Sequence, residues 1–495
     1  MVGCLHYEVG LETRQERDNH VRSHDRPFKC PKHGCFYEEV GFTNSQGLNR
    51  HLSACHTDPT SSKFLFPRLR NSRPPTEAEQ ERFWEAIERQ DIDLVRNLIR
   101  RHSSLKDRVG LDGYTALQHA ARHGKLGTAL LLLHCGSNIG AVNKHGTALN
   151  VACSYGQTNM VQLLLSSAKR EEDVNSKDGK GDTPLLSSLR SRHVSAQLAV
   201  VRLLLEDSRV FADSKDLDSR TPLSLAAASR SLEMVPVLKM LLNHDRTDVN
   251  TRDNEGRTPL SWAASRGTGE GVKALLEHGV AVDVNAKDHG GMTPLLWATS
   301  RGSAGIVSVF LEHGVGVDVN GKDDGGRTPL MWAASGGSAG IGSALLEHSL
   351  GVEVNATDSG GRASLLWAGS WDAASIVRML LEHGMGVDVN TKDKRGMTPL
   401  SWAALTGNAE VVSILLRRGV GVDVNSKDNE GRTPLSWAAE LGTIGVVLML
   451  LESGMGVDVN AKDNGSRTPL SWAEARNDWD KELVLNALVK HGGDR

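Results

Sequence analysis

The stretch from residue 253 to 288, DNEGRTPLSWAASRGTGEGVKALLEHGVAVDVNAKD, decides the fold because its pattern returns every 35 residues. The returns share one threonine column, with Ala363 as its lapse: Thr258, Thr293, Thr328, Ala363, Thr398, Thr433 and Thr468. A fixed period of this size predicts a stack of supersecondary units, each of which buries its apolar face against its neighbours. We therefore expect a mostly α solenoid with one continuous core, an architecture that usually binds other macromolecules.

Each unit carries the signals of two short helices. Thr258 suits an N-cap and Pro259 suits the first helical position, so a first helix should begin there. The glycines within 267–271 predict a turn, and Val272 with the leucines after it predicts the core side of a second helix that ends near Gly279. The alternating valines followed by Asn, Asp and Gly predict a hairpin that crosses to the next unit. The expected unit is hairpin, helix, turn, helix.

These residues resemble the ankyrin repeat, whose signature is a threonine-proline-leucine helix start, a small-residue first helix, a paired-leucine second helix and an Asp-Val-Asn loop. The units here exceed the usual length of about 33 residues by a pair placed before the motif at Asp283 and Asn285. Ser261 stands where the family has a histidine. The resemblance implies that the hairpin tips and first helices line a concave, partner-binding surface.

The repeats continue upstream with more variation. Their threonines are spaced by 32 to 38 residues and fall at Thr115, Thr147, Thr183 and Thr221. Before them, FWEAIERQDIDLVRNLIRRH, which begins at Phe83, predicts an N-terminal capping unit with Leu94 and Leu98 on its apolar face. The last stretch, ELVLNALVKHGGDR, predicts a helix that closes the stack. We expect an ankyrin repeat domain of about eleven to twelve repeats over residues 79–495.

Three further columns follow the repeat. Seven of the ten tryptophans form one of them: Trp262, Trp297, Trp332, Trp367, Trp402, Trp437 and Trp472. Because they lie in the first helix, we interpret them as core packing rather than as a stacking platform for bases or sugars. The histidines His278, His313, His348 and His383 are interpreted as helix-terminal groups favoured by the dipole. Lys-Asp pairs such as Lys287-Asp288 are interpreted as solvated loop charges that contribute little each.

The N-terminal segment differs in kind. Four residues separate Cys30 from Cys35 and His51 from His56, and fifteen lie between the two pairs. With Phe42 and Leu48 between them, this spacing resembles a C₂H₂-type zinc finger over residues 25–57. The resemblance implies a small ββα module in which Cys30, Cys35, His51 and His56 bind Zn²⁺, which supplies the folding energy that so short a core lacks.

Alternatives remain open within this segment. Cys55 precedes His56 and is an alternative fourth ligand. Residues 1–24 resemble part of a second finger, with Cys4 and His20 but only one cysteine, and we do not count them as a metal site. On the finger pattern, the base-facing helix positions fall on Asn44, Gly47 and Arg50, of which Asn44 and Arg50 are candidate DNA contacts.

Composition bounds the class of protein. The six cysteines in 495 residues argue against a disulfide framework and favour an intracellular, cytoplasmic or nuclear protein. No apolar stretch predicts a signal peptide or a membrane span, so we expect no membrane partner. Residues 1–75 hold eleven Lys and Arg against eight Asp and Glu, which is a net charge of +3. Because the whole chain has a net charge of −3, the remaining residues have a net charge of −6. The electrostatic signal for nucleic acid is therefore weak.

Function is predicted from what the motifs contain and lack. No P-loop, H-E-x-x-H helix or G-x-S-x-G elbow occurs, so we expect neither an enzyme nor a small-molecule substrate. Residues 58–78 are interpreted as a solvated linker. In the repeats after it, the helix motifs recur while the residues at the predicted hairpin tips vary: Asn254, Glu255, His289, Asp324, Ser359, Lys394, Arg395, Asn429, Glu430 and Asn464. We expect a scaffold or adaptor that binds a protein through these tips. The alternative is a nuclear regulator whose finger contacts DNA while the stack recruits a protein.

Overall fold

The computed structural model describes residues 73–191, 194–278, 282–348, 351–371, 373–382, 386–477 and 480–493. One compact unit runs from Pro75 to Arg495. The predicted zinc finger, the partial finger before it and most of the linker lie outside the described residues. No described helix is long and apolar enough to cross a lipid bilayer.

The described chain is a succession of antiparallel helix pairs. The first pair, α1 (Glu77–Arg89) and α2 (Ile92–Arg101), corresponds to the predicted capping unit. Thr76 and Glu79 form a capping box at the start of α1. The core side of the pair includes Phe83 and Leu98, as predicted, but Leu94 is exposed and Val95 is buried in its place.

Eleven further pairs follow in the described part of the chain. The first helices are α3 (Ala116–Arg122), α5 (Ala148–Ser154), α8 (Pro184–Leu189), α10 (Pro222–Ala227), α12 (Pro259–Arg266), α14 (Pro294–Ser300), α16 (Pro329–Ser335), α18 (Ser364–Ser370), α20 (Pro399–Thr406), α22 (Pro434–Leu441) and α24 (Pro469–Glu474). The second helices are α4 (Leu126–His134), α6 (Thr158–Ser167), α9 (Val194–Glu206), α11 (Val235–Leu242), α13 (Gly269–Glu277), α15 (Ala304–His313), α17 (Ala339–His348), α19 (Ala374–Glu382), α21 (Ala409–Arg418), α23 (Ile444–Leu451) and α25 (Lys481–Lys490). A short additional helix, α7 (Glu171–Asn175), and two 3₁₀ turns, Ser103–Asp107 and Leu232–Met234, complete the set.

The helices form two rows. Each first helix packs on the first helix of the next repeat, and most second helices pack on the second helix of the next. One hydrophobic cluster of buried leucines, valines and alanines runs from Phe83 to Leu488. This arrangement confirms the predicted mostly helical solenoid with a continuous core.

Threonine caps explain where the first helices begin. The side chain of Thr258 accepts a hydrogen bond from the backbone N–H of Ser261, and Pro259 occupies the first turn. The second helix of the same repeat begins earlier than the sequence predicts, because Thr268 caps it and Gly269 and Gly271 lie inside it. The predicted turn there is therefore limited to the residues around Gly267.

The connections between repeats are turns rather than stranded hairpins. Two backbone bonds close the turn after Asp253: the N–H of Gly256 donates to the carbonyl of Asp253, and the N–H of Asp253 donates to Arg257. Among the described residues only isolated bridges occur, and no strand is formed. The prediction of a hairpin was right about the chain reversal and wrong about strands, because the reversal is too short for a ladder.

The turn also requires a left-handed residue, which explains its glycine. Gly256, Gly396 and Gly431 have φ of 76–79° at this position. Ser219 and Ser466 take the same place with φ of 61° and 62°. A residue with a Cβ is strained in this conformation, so the two serine-containing turns depend on their surroundings more than the glycine turns do.

One repeat lacks its cap. Ala363 stands where the other repeats have threonine, makes no side-chain cap bond, and is followed by Ser364 in place of proline. The hydroxyl of Ser364 is buried without a hydrogen-bond partner. Helix α18 still forms, so packing from the neighbouring repeats maintains it.

We predict that Ala363→Thr stabilises this repeat by about 1 kcal/mol, because a threonine side chain can accept the N–H of Leu366 as Thr293 accepts that of Leu296. Hydrogen exchange should show slower exchange of the α18 amides in the variant. The matched control is Thr398→Ala, which should lower protection of α20 by a similar amount. Unchanged exchange of α18 in Ala363→Thr would show that the missing cap does not limit this repeat.

Candidate partner-binding surface

The predicted hairpin tips form one exposed row of loop tips along the stack. All ten are exposed: Asn254, Glu255, His289, Asp324, Ser359, Lys394, Arg395, Asn429, Glu430 and Asn464. In each repeat the backbone N–H of the first tip residue donates to a carbonyl of the preceding loop, at 2.9–3.1 Å. These backbone bonds hold the tips in register. They do not involve the tip side chains, which can therefore differ from repeat to repeat.

The side chains of the tips divide into two groups. The amide groups of Asn254, Asn429 and Asn464 donate to backbone carbonyls of the preceding loops at 2.8–3.1 Å. These asparagines reinforce the register of the loops. Asp324 and Lys394, in contrast, form no ion pair or side-chain hydrogen bond within the described residues, and both remain available to a partner.

Charge changes sign along this row. The acidic tips Glu255 and Asp324 lie in earlier repeats, the basic pair Lys394 and Arg395 follows, and Glu430 restores a negative charge in the next repeat. Glu255 and Glu430 are each paired with an arginine of their own loop, at 2.7 and 3.1 Å. The exposed basic pair therefore lies between the neutral tip Ser359 and the acidic tip Glu430 and is a distinct feature of the surface.

An aspartate with a buried side chain anchors every one of these loops. We call the set the loop aspartates: Asp253, Asp288, Asp323, Asp358, Asp393, Asp428 and Asp463. One carboxylate oxygen accepts the backbone N–H four residues later at 2.8–2.9 Å. The other accepts the indole N–H of the tryptophan nine residues later at 2.8–3.1 Å. The carboxylate thereby ties the turn to the first helix of the same repeat.

This finding corrects the interpretation of the Lys-Asp pairs. The loop aspartates are not solvated, since Asp393 is only 8% exposed and Asp323 7%. The lysines also have defined partners: Lys287 and Lys392 donate to backbone carbonyls 35 residues later, at 2.9 Å in both cases. A charged group in a polar loop usually lies at the surface, and here the indole and backbone donors satisfy the carboxylate instead.

The tryptophans pack as predicted and have a second role that the sequence analysis missed. Trp262, Trp367, Trp437 and Trp472 are buried, whereas the other three are half-buried. Arginine guanidinium groups cover several rings, with Arg327 3.8 Å from the ring centroid of Trp332. That arginine also pairs with Asp323 at 3.1 Å. The fixed nine-residue distance between aspartate and tryptophan in the sequence was the signal for this contact.

Asparagines provide a second link between repeats. The side-chain oxygen of Asn285 accepts the N–H of Asp318 at 2.8 Å, and its NH₂ donates to the carbonyl of Gly316 at 2.8 Å. Asn320 and Asn390 make the same two bonds to the next loop. The asparagine of the Asp-Val-Asn motif therefore joins neighbouring units, while the aspartate closes the motif's own turn by accepting the N–H of that asparagine, as Asp283 does from Asn285 at 3.2 Å.

We predict that Asp428→Ala lowers the stability of its repeat by about 3 kcal/mol, because it leaves the indole N–H of Trp437 and two backbone N–H groups without their acceptor. The loss is measurable as faster hydrogen exchange of α22. Glu430→Gln, a change at the exposed tip of the same loop, should alter stability by less than about 0.5 kcal/mol. Similar losses in the two variants would refute the anchoring role of Asp428.

The histidine column shows local contacts where it is described. His278 lies 2.9 Å from the side-chain oxygen of Asn243, and His313 lies 3.3 Å from Glu277. The side chains of His348 and His383 lie outside the described residues. Over the described ranges, no group of three His, Cys, Asp or Glu side chains is arranged to hold a metal ion.

A cluster of aromatic and basic side chains lies near the first helices of the earliest repeats. The rings of Tyr114 and His145 stack at 4.1 Å, and Arg122 lies 5.2 Å from the centroid of Tyr114. Burial lowers the pKa of His119 and of His145, so both imidazoles are neutral near pH 7. The sequence analysis did not identify this cluster, because its members belong to different repeats.

The family model for ankyrin repeats (3 copies) matches residues 83–178, 193–288, 236–323, 280–358, 315–393 and 365–463, which together span well over half of the chain. This chain belongs to the ankyrin repeat family. The two helices of each repeat and the threonine helix starts on which the resemblance was based are present in the structure, with Ala363 as the exception among the caps.

Among solved structures, the ankyrin repeat domain of Bcl-3, described as a unique member of the IkappaB protein family, is similar to part of the chain. The two are 25% identical over 48% of this chain and 99% of that domain, with a TM-score of 0.42. The assignment to the ankyrin repeat family rests on the family match.

Proposed function

We propose that this protein is a non-enzymatic scaffold or adaptor that binds a protein partner through the loop tips of its ankyrin repeats. The observation that supports this proposal is that the same bonds recur in every loop whereas the side chains at the tips vary. The loop aspartates, tryptophans and motif asparagines are engaged in the same bonds in repeat after repeat. The tip side chains change in charge on that frame, as from Asp324 to Lys394. Such an arrangement supports selective binding, since charge complementarity sets specificity and register.

The described cysteines fit a non-catalytic role. Burial raises the pKa of the Cys153 thiol and of the half-buried Cys135 thiol. Both are therefore protonated near neutral pH, and a protonated thiol is a poor nucleophile. Both pack within the stack.

We predict that reversing the basic tips, K394E/R395E, weakens capture of a partner by the ankyrin stack and by the full chain, because the reversal replaces the two cationic tips of this row with anionic ones. The free energy of unfolding, obtained from thermal unfolding, should change by less than about 0.5 kcal/mol, as is usual for substitutions at exposed positions. Affinity capture of cellular proteins, with bound proteins quantified by mass spectrometry, measures the effect.

The control is Arg417→Glu, which reverses an exposed charge on the second helix α21. This variant should capture the partner as well as the parent does. If Arg417→Glu abolishes capture while K394E/R395E has no effect, the partner binds the row of second helices, and the assignment to the loop tips is wrong.

We also propose that the N-terminal segment binds one Zn²⁺ through Cys30, Cys35, His51 and His56, a proposal supported by their spacing in the sequence. A peptide of residues 25–57 should gain circular dichroism and bind one equivalent of Zn²⁺, because metal binding and folding are coupled in such modules. Cys30→Ala should abolish both effects.

Replacing Cys55 separates the two candidate ligand sets. Cys55→Ala should leave zinc affinity nearly unchanged, and a large loss would move the fourth ligand from His56 to Cys55. Equal dichroism of the parent peptide with and without zinc would refute the finger altogether. Contact with DNA through Asn44 and Arg50, as in the alternative of a nuclear regulator, remains a further proposal for the folded peptide.

A further inference from the structure

The contact between arginine, aspartate and tryptophan is interrupted in two repeats. In five of the seven tryptophan-containing repeats an arginine lies four residues after the loop aspartate and five before the tryptophan: Arg257, Arg327, Arg362, Arg432 and Arg467. Each guanidinium carbon lies 3.6–4.9 Å from the centroid of that tryptophan ring. Methionine replaces the arginine in the other two repeats, at Met292 and Met397.

The repeat with Met292 is compensated by its neighbour. Arg257 of the preceding repeat reaches over to Trp297, with its guanidinium carbon 4.4 Å from the ring centroid. The same side chain approaches the carboxylate of Asp288 to 3.8 Å. The ring and the aspartate are therefore covered although the repeat lacks an arginine of its own.

The repeat with Met397 is not compensated in this way. Arg362 of the preceding repeat stays on its own Trp367 at 3.8 Å and pairs with Asp358 at 3.2 Å. Arg395 is 5.7 Å from the centroid of Trp402. Asp393 forms no ion pair with a described residue, although it accepts three hydrogen bonds. A cavity of about 320 Å³ lies at this place, lined by Gly360, Arg362, Asp393, Lys394, Arg395 and Trp402.

We propose that this cavity, the Trp402 pocket, binds an acidic side chain of a peptide segment in the protein partner. The inference rests on the proposed binding function of the loop tips and specifies the chemistry that one part of that surface takes. The carboxylate would lie between Lys394 and Arg395, and its methylene groups and neighbouring apolar side chain would contact the half-buried ring of Trp402.

Charge favours an acidic ligand over a basic one. The lining residues carry three positive charges and one negative charge. The carboxylate of Asp393 accepts hydrogen bonds from the indole N–H of Trp402 and from two backbone N–H groups, so three of its roughly four acceptor positions are occupied. Lys394 and Arg395 are exposed and have no acidic partner among the described residues, so an incoming carboxylate meets unpaired cations.

The pocket fits a short peptide better than a nucleic acid strand. A phosphate backbone requires basic residues along several repeats. The neighbouring tips here are the neutral Ser359 on one side and Asn429 with the acidic Glu430 on the other. An isolated pair of cations beside an aromatic ring suits one or two carboxylates.

The substitution Met397→Arg tests the pocket because the direction in which it changes the affinity for an acidic peptide distinguishes two explanations. The new arginine has the spacing that places Arg327 between Asp323 and Trp332, so it should occupy the space over Trp402 and pair with Asp393. It also adds a positive charge. Attraction that is merely electrostatic would therefore tighten binding of an acidic peptide, whereas occupation of the pocket would weaken it.

The measurement is fluorescence anisotropy of a labelled seven-residue peptide of glutamates around a central leucine, titrated with the full chain at about 0.15 M salt. We expect saturable binding to the parent and about tenfold weaker binding to Met397→Arg, equivalent to about 1.4 kcal/mol. Met292→Arg, the matched control, adds the same charge where Arg257 already covers the ring and should bind within about twofold of the parent. Circular dichroism and thermal unfolding should show both variants folded.

Several outcomes would overturn the pocket. They are no saturable binding of the glutamate peptide to the parent, equal or tighter binding by Met397→Arg, equal weakening by Met292→Arg, and preferential binding of the corresponding lysine peptide. Displacement of the peptide by a single-stranded oligonucleotide at lower concentration than by unlabelled peptide would also do so. None of these results affects the adaptor proposal if K394E/R395E still weakens protein capture, so the two proposals fail separately.

Discussion

The bond between a buried loop aspartate and the indole of the following tryptophan holds the repeating part of the structure together. Removing a carboxylate from water is unfavourable unless donors replace the lost water. In the repeat of Asp428, those donors are two backbone N–H groups of the turn and the side chain of Trp437. The turn and the first helix consequently form one rigid piece, and the exposed tips keep a constant position relative to the helices.

The sequence predicts the helices well because their signals are local. Thr258 and Pro259 define the start of a helix within one turn, and the periodic leucines define its buried side. Burial of Asp393 could not be predicted from composition, because an aspartate beside a lysine in a polar loop is usually solvated. It follows from contact between groups nine residues apart, and only the constant spacing to tryptophan indicates it. The boundary of the second helix was misplaced because Gly269 and Gly271 favour turns except where packing keeps them helical.

In the proposed function, stability and recognition depend on different atoms of the same loops. The backbones of the tips and the side chains of the motif asparagines join each repeat to the next. Most tip side chains take no part in those bonds and can differ between repeats without loss of the stack. Asn429 shows the limit of this separation, because its amide group also supports the preceding loop. The ten tip residues named from the sequence are exposed in the structure, but the sequence could not show which of them already form bonds within the stack.

The asparagine and lysine bonds between repeats have a consequence for how the length of the chain can change. They join atoms at constant separations of 31, 33 and 35 residues along the chain. Duplicating or deleting one whole unit between Thr258 and Thr468 recreates all of these separations at the new junction, whereas an insertion of any other length interrupts them. The number of repeats can therefore change by whole units without breaking these bonds, and each such change adds or removes one complete set of tips.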